Sequence, residues 1–367
     1  MNGGPQPLVS IVTPVYNGAQ YLSECIESVL AQTYRNWDYT IVNNCSTDDS
    51  MAIARRYAAR EPRIRIHENQ QFLRAIPNHN FALRQISPAS KYCKMVFADD
   101  WIFPNCIERM VCIADENPSV GIVGAYVLQG RDVICTGLPY ANTVTSGREI
   151  CRRHILNKLY VFGSANAVLY RSDLVRESES FFNEANIHGD TEACFAILKD
   201  WDFGFVPQVL TFTRVRPGSL TEISNDIQTN LAGTLQILVK HGQDCLTNEE
   251  LEERLNNHLT DYYRFLGKSL VLGRTKTIDY HKRILTDAGV GFSWVRVYRG
   301  MLAALGNQAL NPKETIEKLV RGKNDSSSAG RELDTRVDIV EGEKPAGTKA
   351  SSFKPGQTTE FSSRRSG

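Results

Sequence analysis

Most of the short signatures that give away a chain's chemistry are missing here. No stretch approaches about 18 uninterrupted apolar residues, so the sequence predicts no transmembrane helix. No basic segment followed by an apolar run opens the chain. The apolar residues after MNGGPQP read as a strand, and no signal peptide is expected. There is no CxxC pair, no HExxH, no Walker loop and no GxGxxG, which argues against zinc modules, zinc proteases and the common phosphate-loop folds. Neither sign of charge dominates: Lys+Arg 42 stand against Asp+Glu 41, for a net charge of +1. Nucleic-acid binders usually carry a strong basic excess, so no nucleic-acid partner is expected. The nine cysteines are odd in number and scattered, which fits small buried apolar residues in a reducing compartment better than a disulfide framework. These absences predict a cytoplasmic protein, with at most a peripheral contact at the inner membrane face.

What is present is an ordinary globular balance, 42% hydrophobic and 23% charged over 367 residues, enough for one large domain with an appendage or for two domains. In the first third, strand and helix patterns alternate. Leu8 to Thr13 is a β-branched apolar run; Asn17 can then cap a helix with an apolar stripe through Tyr21, Leu22, Cys25, Ile26, Val29 and Leu30. Trp37 to Val42 reads as a second strand, with Ser46 or Thr47 as the cap of the next helix. Arg63 to His67, Tyr92 to Phe97 and Val120 to Leu128 continue the strands, with helices near Asn78 to Ile86 and Pro104 to Glu116 between them. This alternation predicts a mostly parallel α/β sheet covered on both faces, with ligands held at the carboxyl ends of the strands. Further strands are expected at Phe162 to Tyr170 and Phe203 to Thr213. The organisation read from these patterns is a sheet domain over 1–223, a helical extension over 224–320 and a disordered tail over 321–367, where Ser, Gly, Lys, Glu and Pro dominate.

Four segments carry chemistry. Ala98-Asp99-Asp100-Trp101 puts two carboxylates just after a buried strand, where a divalent metal sharing them with substrate phosphates would offset their burial; a helix cap is the plainer reading. Asn43-Asn44-Cys45-Ser46-Thr47-Asp48 follows strand two, and its amides can read a base edge or simply make a turn. His188-Gly189-Asp190-Thr191-Glu192 precedes an amphipathic helix and offers a general base or a cap. Arg214 to Leu220 places two cations beside a flexible loop, able to meet phosphate.

The four segments resemble, in order and spacing, those of glycosyltransferase family 2, whose members have the GT-A fold. VSIVTPVYNGAQYLSECIESVLAQTYRNWDYTIVNNCSTDDS is similar to that family's opening almost throughout, and the resemblance runs from about Pro7 to Thr221. It implies an inverting, metal-dependent, non-processive glycosyltransferase that moves a sugar from a nucleotide-sugar donor, a UDP-sugar by preference, in cell-surface glycan or glycolipid assembly. By resemblance Pro14, Tyr16, Asn17, Asn44 and Asp99 bind the donor. Asp99 and Asp100 hold a divalent metal, Mn²⁺ or Mg²⁺, and Asp190 is the catalytic base. Arg216-Pro217-Gly218-Ser219 is similar to the family's H-P-G-S segment. Three departures stand out: Asn43-Asn44 replaces an acidic pair, Phe97 replaces the first Asp of DxD, and Gly189-Asp190 replaces Glu-Asp. The acceptor, whether glycan, lipid-linked or a small molecule, is not read from the sequence. No QxxRW occurs, which argues against a processive polysaccharide synthase. The rival readings are a non-catalytic nucleotide-sugar-binding or scaffold protein of the same fold, and a nucleotidyltransferase, which would be expected to carry a Gly-rich loop where PVYNGAQY stands.

Overall fold

The first strand is apolar on both faces because it is buried on both faces. In the computed structural model, described for residues 6–139 and 143–310 with side chains to 306, β1 (Val9–Val15) is buried at every position. Val9 and Ile11 point into one core, Val12 into another on the far side of the sheet. Such two-sided burial yields a continuous apolar run rather than an alternation.

α1 (Leu22–Leu30), β2 (Trp37–Asn43), α2 (Ser50–Ala58), β3 (Ile64–Glu68), α3 (Ala75–Leu83), β4 (Tyr92–Met95), β5 (Trp101–Ile102), α4 (Cys106–Glu116) and β6 (Val120–Gln129) follow in order. Then come β7 (Asp132–Ile134), β8 (Val144–Thr145), α5 (Gly147–Ile155), a 3₁₀ turn at Ala165–Ala167, β9 (Leu169–Arg171), α6 (Ser172–Arg176), α7 (Gly189–Leu198) and β10 (Asp202–Thr213). The chain continues through α8 (Leu220–Ile227), α9 (Thr229–Cys245), α10 (Asn248–Val271), α11 (Thr275–Asp287) and α12 (Trp294–Leu310). The main sheet runs β3-β2-β1-β4-β9-β6-β10-β5. The pairs β3-β2, β2-β1, β1-β4 and β6-β10 are parallel, while β9 joins its two neighbours antiparallel. Helices α1, α2 and α4 cover one face, through residues such as Ile26, Ala54 and Met110; α3, α5, α7 and α9 cover the other, through Leu83, Ile150, Phe195 and Leu238. Strand order reverses at β1, and a crevice at the carboxyl ends of β1, β2 and β4 follows from that reversal.

The α/β architecture matches the expectation; several local readings do not. Asn17 does not cap α1. It sits at φ 50, and its side-chain oxygen accepts from the Thr47 N–H at 2.8 Å, tying two loops together. Helix α2 begins after Ser46 and Thr47, at Ser50, whose N–H donates to Asp48 Oδ1 at 3.0 Å. The expected strand at 162–170 shortens to β9, because Gly163 takes φ +62 and the chain turns through Ala165–Ala167. All described residues fall within one compact unit, Met1–Lys318. The expected tail at 321–367, and the last residues of the expected extension, lie outside the described residues. Among the described residues, no helix is long and apolar enough to cross a membrane.

Candidate active site

Three of the four chemistry-bearing segments leave the sheet beyond a strand end, after β2, β4 and β10; the fourth, residues 188–192, opens α7. Pro14 lies one residue before the end of β1, opposite Val42 of β2. Tyr16 follows, its ring edge-on to Phe72 at 4.9 Å. Asn44 is 2% exposed, and its amide is committed inward. Oδ1 accepts from Leu73 N–H and Asn69 Nδ2, both at 2.9 Å, and Nδ2 donates to Leu73 O at 2.7 Å. Asn44 therefore shapes the 69–73 loop.

Beyond β4, Asp99 and Asp100 diverge. Asp99 is partly exposed, and Oδ2 accepts from Arg216 Nε at 2.7 Å. Asp100 is 3% exposed; Oδ1 accepts from Arg214 N–H at 2.9 Å and Oδ2 from Asn166 Nδ2 at 3.2 Å. Burial, with the neighbouring Asp99 charge, pushes the Asp100 carboxyl up to about 8. Asp99 is the more open carboxylate and fits a divalent cation of the kind held by one carboxylate and substrate phosphates; both Asp100 oxygens accept hydrogen bonds from the protein. Among the described residues, no three His, Cys, Asp or Glu side chains converge as an all-protein site.

Asp190 opens α7. Its Oδ2 accepts from Ala165 N–H at 3.1 Å and its Oδ1 from Thr191 N–H at 2.7 Å. The surrounding protein raises its carboxyl pKa, and the adjacent His188 partly opposes this. Asp190 also lines a cavity of about 410 Å³, together with His79, Phe97, His154, Tyr160 and Thr213. Burial lowers both His79 and His154 to about 4, leaving them neutral at physiological pH. Tyr16, Asn44 and Asp99 do not line this cavity; Phe97 brings the β4 segment to it.

The turn at Ala165–Ala167 joins the two parts. Ala165 donates its N–H to Asp190, and the Asn166 side chain donates to Asp100. Under the turn lies Lys94, fully buried in β4, whose Nζ donates to Asn166 O at 2.8 Å and Val168 O at 3.3 Å. The sequence reading missed both Lys94 and Asn166. A lone lysine within the apolar run Tyr92 to Phe97 was the available signal, since a buried ammonium must find oxygen partners. Glu192, singled out with Asp190, is structural: it is 4% exposed and accepts from Asn183 and Asn186, each at 2.9 Å, and from Lys240.

Comparison with known proteins follows the same lines. The family described as Glycosyl transferase family 2 matches residues 10–178. The putative glycosyltransferase EpsE of Bacillus subtilis is 33% identical over 179 residues, covering 47% of this chain and 62% of that protein, so the chain spans less than two thirds of its length. Glycosyltransferase GlyG of Streptococcus pneumoniae is 26% identical over 296 residues, covering 76% of this chain and 91% of that one. Among solved structures, S. aureus TarS in complex with UDP-GlcNAc superposes with a TM-score of 0.56 at 14% identity, covering 80% of this chain and 87% of the other.

Proposed function

We propose that this chain, whose residues 10–178 are a glycosyl transferase family 2 domain, transfers a sugar from a nucleotide-sugar donor to an acceptor hydroxyl with inversion at the anomeric carbon. The observation that carries the reading is the Ala165–Ala167 turn, which binds both the Asp99-Asp100 segment and Asp190 through consecutive residues. A donor diphosphate at Asp99 and an acceptor in the Asp190 cavity would then be neighbours, as a single displacement requires.

The donor half belongs to the loops after β1, β2 and β4. Pro14, Tyr16 and Asn17 border the base. Asn44 acts on the donor through the loop it holds. A UDP-sugar is the favoured donor, in line with the UDP-GlcNAc complex of the structurally similar TarS. Asp99 would hold a divalent cation, Mn²⁺ or Mg²⁺, which supplies charge compensation for the departing diphosphate. Arg216, already on Asp99, adds a guanidinium close by.

Asp190 accepts the proton of the acceptor hydroxyl as its oxygen forms the new bond to C1 and the bond to the diphosphate breaks. A raised carboxyl pKa suits this role, because a stronger base takes the proton more readily. The two backbone N–H donors fix the carboxylate's orientation without protonating it. The product belongs to cell-surface glycan or glycolipid assembly, made non-processively by the domain at 1–223, with the helices from 224 onward packed beside it.

The experiment is a panel of nucleotide sugars read by thermal shift with and without Mn²⁺, followed by donor hydrolysis. A ligand that binds the native state raises its melting temperature. If no nucleotide sugar shifts melting, the transfer reading fails. Binding without hydrolysis or transfer to any acceptor would instead favour a non-catalytic nucleotide-sugar binder.

A further inference from the structure

Helix α12 shows solvent an apolar face that nothing among the described residues covers. Its inward face is set by two glycines. A Cβ on Gly300 would sit 2.2 Å from Tyr263 O, and one on Gly267 would sit 2.2 Å from the Met301 N. Helices α10 and α12 therefore touch backbone to backbone, and only glycine permits it. That contact fixes the rotation of α12. At about 100° per residue, Val297, Gly300 and Met301 turn toward α10. Trp294, Val295, Tyr298, Leu302 and Leu305 then share an adjacent sector roughly 100° wide. All five are exposed, Val295 at 62% and Leu302 at 64%. Arg299 borders the sector, and Arg296 lies beyond it with its guanidinium over Tyr263 at 5.5 Å.

The surrounding charge is one-sided. Residues 264–306 carry eight Lys and Arg against two Asp; Arg264 and Arg274 pair with Asp261 and Asp226 outside that span, which leaves an excess of four positive charges in a chain whose net charge is +1. Residues 294–310 hold no acidic side chain at all. A contiguous apolar stripe is unusual on a free surface. Its Trp and Tyr are the side chains that settle at a lipid–water boundary, and arginines beside them meet anionic headgroups. A second copy of the chain would set the same positive excess against itself, which favours lipid over self-association.

We infer that α12 lies in the plane of an anionic bilayer surface, with the Trp294–Leu305 stripe among the headgroups and Arg299 on lipid phosphate. The inference does not depend on sugar transfer, because its readout is partition rather than activity.

The test is flotation of the full chain with vesicles of phosphatidylcholine alone, or with about a third phosphatidylglycerol, at low and high salt. The chain should float with the anionic vesicles at low salt and stay behind with neutral ones. Leu302→Glu should weaken partition about tenfold or more, with melting unchanged, and Arg299→Glu by a few-fold. Should Leu302→Glu melt early, Val295→Glu and quenching of Trp294 by spin-labelled lipid in the parent chain answer the same question. Failure of the parent to float with anionic vesicles would overturn the inference. So would equal partition of Leu302→Glu and the parent. A dimer that Leu302→Glu dissolves, with no flotation, would assign the face to a second copy. Flotation only after removal of residues 311–367 would assign it to that segment.

Discussion

The segment holding Asp99 and Asp100 and the helix holding Asp190 meet at one short turn, yet they treat a carboxylate differently. At the end of β4, Asp99 is matched by the Arg216 guanidinium and remains partly open. Beneath it Asp100 is buried, bonded to the Arg214 backbone and Asn166, and kept protonated near neutrality. On the far side of the turn, Asp190 accepts from two backbone N–H donors beside His188, in a cavity also lined by His79 and His154, both lowered to about 4 by burial. One region pairs a carboxylate with a guanidinium, the other holds a buried carboxylate on backbone N–H donors. On the proposed reading, that difference would assign leaving-group stabilisation to the first region and proton transfer to the second, joined by the Ala165–Ala167 turn.

Breaking the second region should have the largest effect. Asp190→Asn keeps the shape and the acceptor oxygen but loses the base, so kcat should fall by about 10²–10⁴ while donor affinity, measured by calorimetry, stays within about twofold. Unchanged turnover would remove Asp190 from the role of base. Within the first region the two neighbours should separate. Asp99→Asn should weaken metal-dependent donor binding about tenfold or more, whereas Asp100→Asn should leave it near the parent value. Equal losses in both variants would mean that Asp100 also serves the metal.

Asn44→Ala sharpens the donor side further. It removes three bonds to Asn69 and Leu73 from a buried site, and an unsatisfied buried group costs about 1–3 kcal/mol. Melting should fall by several degrees, and amide exchange should quicken over 69–73. A loss of donor affinity with unchanged exchange would show direct base contact instead.

A pH dependence bears on stability alone and not on transfer. The folded Asp100 carboxyl titrates near 8, above its ordinary 3.8, so the folded state binds this proton more tightly than the unfolded chain does. The stability it contributes is complete below about pH 4 and is lost as pH rises through about 8. The parent's melting temperature should therefore decline from pH 5 to pH 8 relative to Asp100→Asn. Parallel curves would place the Asp100 pKa near its ordinary value.

Much of this arrangement was legible before any coordinates. The apolar runs at Val9, Trp37 and Val120 are long and flanked by turn residues, so strand positions followed from burial alone. What the sequence concealed were contacts between distant residues. Asn17 has the composition of a helix cap, but its side chain instead meets Thr47, 30 positions on. Asn44 looks like a base reader, but its amide is spent on Leu73 and Asn69. Asp99 and Asp100 are chemically identical neighbours, and only their opposite exposure tells them apart.

The order of strands and helices, the both-sided burial of the sheet and the match to the family model over residues 10–178 follow from local pattern, because the spacing of apolar residues decides which surfaces must leave water. Which carboxylate is buried, which amide is bonded within the protein and which turn joins the two segments were decided only in three dimensions. Desolvation and hydrogen bonding depend on what packs from elsewhere in the chain: Arg216 reaches Asp99 across 117 positions, and Lys94 reaches Asn166 across 72.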